Sequence, residues 1–115
     1  MIELELTAES EAVLLALCEK YQQRRDCGSP MSSADYFGTV EDVRKLLPGL
    51  WNPPDVRDCC FELLEAGLLT GFEADNTLEE MELLKPAIIW YQQTGKRKFS
   101  EALDTIGRIK DAILP

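Results

Sequence analysis

The side chains of this chain that could do chemistry are carboxylates and thiols. There are 21 Asp and Glu residues against 12 Lys and Arg, and no histidine. The usual general base is therefore missing, along with the commonest ligand of zinc, copper and iron. Cys18, Cys27, Cys59 and Cys60 show no CxxC spacing, and the neighbours Cys59 and Cys60 are poorly placed to pair with each other. Reduced thiols are expected. Glu79, Glu80 and Glu82 fall on one predicted strand, where they would alternate between faces, with no nucleophile or glycine-rich phosphate loop nearby. Glu73 and Asp75 offer too few oxygen ligands for a calcium loop. No catalytic residue, metal ligand or cofactor is assigned, and an enzyme is not expected.

Charge narrows the choice of partner. A formal net charge of -9 opposes binding to a polyanion, because nucleic-acid affinity rests on Lys and Arg neutralising phosphates. The cations available for a nucleic acid or another anion are Arg24, Arg25, Arg57 and the cluster Lys96, Arg97 and Lys98. That cluster precedes a helix start, where the dipole disfavours cations, so helix stability does not explain it. No apolar run approaches the length of a membrane span, and MIELEL has neither a basic region nor an apolar signal core. A cytoplasmic protein without membrane contact is the expectation.

These groups must be positioned by one domain of 115 residues, with 45% apolar residues to build its core. Ile2, Leu4 and Leu6 alternate with Glu3 and Glu5, the period of a short edge strand. Thr7 can cap a first helix ending near Arg25, with Leu14, Leu17, Cys18 and Tyr21 on one face. Residues 26–38 have loop composition, with Tyr36 and Phe37 as expected core anchors. Thr39 and Asp42 open a second helix striped by Val40, Val43, Leu46 and Leu47 and closed by Pro48 and Gly49.

Asn52 and Pro53 start a third helix, about 53–66, that Gly67 ends. Val56, Cys59, Cys60, Leu63 and Leu64 repeat at three and four residues, so the two cysteines should face the core. A hairpin follows over about 68–84, with Gly71 weakening its first strand. C-terminal helices are expected over about 86–114: one begins at Pro86, carries Ile88, Ile89, Trp90 and Tyr91 and stops at Gly95, and another is capped by Ser100.

Three helices, the last running through a glycine into a hairpin, give the order of a winged helix-turn-helix. The expected fold is mainly α with a small β-hairpin: a single winged-helix domain over 1–115 with extra C-terminal helices. The segments DVRDCCFELLEAGLLTGF, LLKPAIIWYQQTG and KFSEALDTIGRIKDAIL carry a resemblance to the YjcQ-like family of small bacterial winged-helix proteins. It spans roughly the last two thirds of the chain. In related winged helices the segment after the wing often reads Leu-Thr-x-x-Gly-x-x-Tyr-Leu; Leu83, Leu84, Ala87, Trp90 and Tyr91 stand in those places, with Leu84 and Ala87 departing from the pattern. The resemblance implies the fold and a bacterial or prophage origin, and brings no settled activity.

In DNA-binding winged helices the third helix enters the major groove. In this chain its outward positions are Pro54, Asp58, Phe61 and Glu65, flanked by Asp55 and Glu62, with Arg57 its one base. Such a surface suits a protein partner, with Asp58, Phe61, Glu62 and Glu65 as the binding residues and Phe61 as an exposed aromatic among charges. The alternative is a DNA-binding transcriptional regulator using the cations named above. The closing stripe Phe99, Leu103, Ile106, Ile109 and Ile113 is the candidate homodimer interface, and Trp90 and Tyr91 add to the apolar surface it would have to cover.

Overall fold

A computed structural model of the protein describes residues 5–95. The strand expected at Ile2 and Leu4, the cluster Lys96, Arg97 and Lys98, and the stripe from Phe99 to Ile113 have residues outside this range. Leu6, which is inside it, packs half-buried against the core without strand geometry.

Helix α1, Ala8–Asp26, is the centre of the molecule. Thr7 caps it by accepting a hydrogen bond from the Ser10 N–H, and Glu9 and Glu11 complement the dipole of its first turn. The expected stripe of Leu14, Leu17, Cys18 and Tyr21 is buried, and so are Val13 and Leu15. Burial beyond one stripe follows from its neighbours: helices α2 (Met31–Ala34), α3 (Val40–Leu46), α4 (Pro53–Glu65) and α5 (Lys85–Trp90) all pack on it. Each fully buried leucine contributes about 1.5–3 kcal/mol relative to exposure.

The stretch read as a loop contains α2 and a strand, β1 (Tyr36–Gly38). Its two aromatics do not both enter the core. Strand alternation buries Phe37 and leaves Tyr36 45% exposed, so the expectation of two anchors holds for Phe37 alone. Helix α3 begins with the expected capping box: the Asp42 N–H donates to the Thr39 hydroxyl at 3.2 Å, and the Thr39 N–H donates to the Asp42 carboxylate at 3.1 Å.

Helix α4 ends in a Schellman motif. The Leu68 N–H reaches the Leu63 carbonyl at 3.0 Å and the Gly67 N–H reaches the Leu64 carbonyl at 3.1 Å, with Gly67 at φ 75°. This closure turns the chain directly into the hairpin of β2 (Leu69–Ala74) and β3 (Thr77–Leu83). Its tip is a two-residue loop in which Asp75 and Asn76 both have positive φ, a combination that matches the natural strand twist. The sheet is antiparallel in the order β1-β3-β2.

A bulge interrupts β3. Thr70 pairs with Glu82 and Phe72 with Glu79, so β3 spends one more residue than β2 over this interval, and Glu80 takes up the difference at φ 50°. Gly71 lies opposite the bulge, where a Cβ would fit tightly, 3.0 Å from Met81 Cγ and 3.3 Å from the Glu79 carbonyl oxygen. The bulge shifts the phase of β3, burying Leu78, Met81 and Leu83 and leaving Glu79, Glu80 and Glu82 all exposed. The expected alternation of these glutamates between faces is thereby corrected.

After the sheet, α5 gives way to a π-helical turn, Tyr91–Gly95, where the single expected helix was to continue. Trp90 and Tyr91 are buried within the chain's own core, and the Tyr91 hydroxyl donates to the Glu19 carboxylate. They are therefore not apolar surface waiting for a second copy. Among the described residues, no helix is long and apolar enough to cross a membrane.

Candidate functional site

Helix α4 places Asp55, Asp58, Glu62 and Glu65 away from the core formed by Val56, Cys59, Cys60 and Leu63. Where α4 meets the start of α1, the two helices enclose an open cleft of about 320 Å³ lined by Thr7, Glu9, Ser10, Asp55, Asp58, Cys59 and Glu62. Of the residues expected to bind a partner, Asp58 and Glu62 belong to this cleft. Glu65 is exposed one turn further along α4 and is not part of its lining.

Hydroxyl groups organise the cleft floor. The Thr7 hydroxyl lies 3.0 Å from Glu62 Oε2 and 3.0 Å from Ser10 Oγ, so the α1 cap also ties α1 to α4. Hydrogen bonds from Ser10 and Thr7 hold the Glu62 carboxyl below its ordinary range, because they favour the charged form. Ser10 is almost fully buried. Cys59 closes the floor with its thiol pushed up by burial, an effect that its hydrogen bond to Ser10 opposes. The outcome is a concave, acidic surface with Glu62 fixed as an anion.

The cations are deployed elsewhere. Arg24 donates to the Ala34 carbonyl at 3.1 Å and to the Tyr36 carbonyl at 2.6 Å, and its guanidinium sits over the Phe37 ring at 4.7 Å. It anchors α2 and β1 to the end of α1 through its Nη1. Arg25 donates to the Ser29 carbonyl at 3.0 Å and fixes the turn after α1. Arg57 lies 3.5 Å from Asp58, on a helix whose remaining charges are acidic. Among the described residues, no ion pair joins Glu9, Asp55 or Glu62 to a cation.

Phe61 does not stand out as an isolated aromatic. It is half-buried and packs against the core, while among the described residues the large exposed aromatics are Phe72 on β2, 64% accessible, and Tyr36 on β1. The expected signal, an aromatic ringed by carboxylates, is present in the molecule but on the sheet. Neither Phe72 nor Tyr36 was legible as exposed, since strand phase depends on partner and register. The cleft residues Thr7, Glu9 and Ser10 were equally out of reach, because their approach to α4 spans more than forty positions of chain; the Thr7 cap signal marked only the helix start.

Cys59 and Cys60 face the core as their spacing predicts, and burial pushes the Cys60 thiol up to about 12. Cys18 is likewise buried and raised, its thiol 3.7 Å from the Ala87 carbonyl. Among the described residues, no group of three or more His, Cys, Asp or Glu side chains is arranged to hold a metal ion. No family model, characterised protein or solved structure matches the chain.

Proposed function

We propose that this chain is a winged-helix protein-interaction module that binds a basic surface of another protein through the acidic outer side of α4 and the wing formed by β2 and β3. The element order supports the winged-helix part: a long helix and the single turn of α2, a strand, two further helices, then a hairpin whose second strand pairs with the first strand. The resemblance to the YjcQ-like family, carried by the segments quoted above, points the same way. The observation that carries the interaction is the α1/α4 cleft, where Glu9, Asp55 and Glu62 have no ion-pair partner among the described residues and hydrogen bonds from Ser10 and Thr7 favour the charged form of Glu62.

Regulation of transcription by direct DNA contact is the poorer fit. The helix that would enter the groove presents carboxylates to phosphates, and Arg24 and Arg25 are engaged with backbone carbonyls. Dimerisation through Phe99, Leu103, Ile106, Ile109 and Ile113 belongs to the proposal on the sequence pattern alone. It is tested by sedimentation of the wild type beside Ile109→Asp, and a monomeric wild type at high concentration overturns it.

Capture from lysate with immobilised wild type and an Asp58→Arg, Glu62→Arg variant, each with and without nuclease, tests the main proposal. A protein retained by the wild type through nuclease treatment and lost by the folded variant supports it. Retention that nuclease abolishes, or that the variant preserves, overturns it.

A further inference from the structure

We propose that the solvent face of the β-sheet docks an extended arginine- or lysine-rich segment of a partner protein, held between the rings of Tyr36 and Phe72 and the carboxylates of Glu79 and Glu82. This rests on the reading of the chain as an interaction module and adds a second surface, separate from the α4 cleft, together with the chemistry of its occupant.

Register puts these groups on one face. Tyr36 and Thr70 both pair with Glu82, and Phe72 pairs with Glu79, two positions along β2 from Thr70. Neighbouring strands lie about 4.8 Å apart, so Tyr36 and Thr70 stand roughly 10 Å apart with Glu82 between them, and the Phe72 and Glu79 pair follows further along the same face. The opposite face is the core side, where Leu69, Leu78, Met81 and Leu83 are buried against α3 and α4. The outer face therefore carries two large exposed rings beside the carboxylates of Glu79 and Glu82, with Glu80 exposed at the bulge.

The charge of this face selects its occupant. The strands YFG, LTGFEA and TLEEMEL contribute no cation. The cation closest in the hydrogen-bond network, Arg24, is bound to the Tyr36 carbonyl and covers Phe37. A nucleic acid is repelled, and a second copy of the same acidic face is repelled as well. A guanidinium or ammonium group gains from both features at once: it stacks on a ring and pairs with the adjacent carboxylate. The bulge at Glu80 assembles the face, since without it the glutamates would not all turn to solvent.

The test is a titration of the full-length protein, amide-labelled for NMR, with octa-arginine and with octa-lysine at physiological salt. Shifts concentrated at Tyr36, Thr70, Phe72, Glu79 and Glu82 are expected. The uncharged change Phe72→Ala should weaken octa-arginine binding roughly fivefold, and Glu79→Gln with Glu82→Gln should weaken it further, while Asp58→Asn with Glu62→Gln leaves the shifts at the sheet in place. Absence of shifts at the sheet with both peptides overturns the sheet proposal and leaves the α4 surface to the nuclease-controlled capture. Shifts at the cleft alone, lost in Asp58→Asn with Glu62→Gln, overturn the sheet proposal while supporting the α4 surface. Contacts between the Phe72 ring and residues 96–115 in the peptide-free protein, or peptide-free shifts at the sheet that grow with protein concentration, assign the face to the chain itself or to a second copy and overturn it.

Discussion

Phe61 and Phe72 are both phenylalanines set among acidic residues, one on α4 and one on β2, yet they serve opposite purposes. Phe61 turns its ring partly into the core, whereas Phe72 leaves 64% of its surface in solvent. The helix can absorb an aromatic at the edge of its buried stripe, because its apolar face is wide and a long side chain bends back over the preceding turn. The strand has no such freedom: once Leu69 pairs with Leu83 on the core side, position 72 must point outward. The same acidic, aromatic composition thus makes a cation-ready rim in one region and an extension of the core in the other.

Several substitutions separate these roles. The inner face of α4 sets the upper limit, and Leu63→Ala should cost about 2–5 kcal/mol in a denaturant melt, because Leu63 is fully buried. A loss below 1 kcal/mol would mean that α4 is not packed as described. Alkaline pH probes the same face without a mutation. Burial raises the Cys60 thiol from an ordinary 9.0 to about 12, so the unfolded chain loses its proton first. The associated stability is complete below pH about 9 and is lost as pH rises through 12. A melting temperature that falls over this window in the wild type, and falls less in Cys60→Ala, is the expected pair of curves.

Phe61→Ala comes next, at about 1–2 kcal/mol for a half-buried ring. Thr7→Ala should cost about 1 kcal/mol through loss of the α1 cap, and it should also remove one of the hydrogen bonds to Glu62, moving its NMR titration midpoint part of the way up while the larger effect of Ser10 stays. A lost cap with an unmoved Glu62 would break the link between α1 and α4. Phe72→Ala is the smallest in stability, within about 0.5 kcal/mol, and a melt showing that Phe72 costs as much as Phe61 would erase the contrast between the two rings.

Much of the frame is carried by short-range signals. The Thr7 cap, the Thr39 and Asp42 box, the Asn52 and Pro53 start and the Gly67 stop each act within a turn of chain, and each marks a helix end where it was expected. The spacing of Val56, Cys59, Cys60 and Leu63 determines which side of α4 goes inward, since a helix has one period whatever it packs against. The hairpin is legible from its two runs and the polar stretch 73–77 between them, but the strands extend into that stretch and leave only Asp75 and Asn76, both at positive φ, in the loop.

Tertiary structure decided the rest. Tyr36, Phe37 and Gly38 form a strand because β3 offers an edge more than forty residues away, and a run of three carries no period to announce it. The bulge at Glu80 arises where β2 and β3 meet at Gly71, and it alone sends every glutamate of β3 to solvent. Arg24 reads as a free cation until α2 and β1 fold back over it. Residue types and local periods determine the elements and their inner faces, but which polar groups remain available depends on neighbours distant in the chain, whose positions no local pattern encodes.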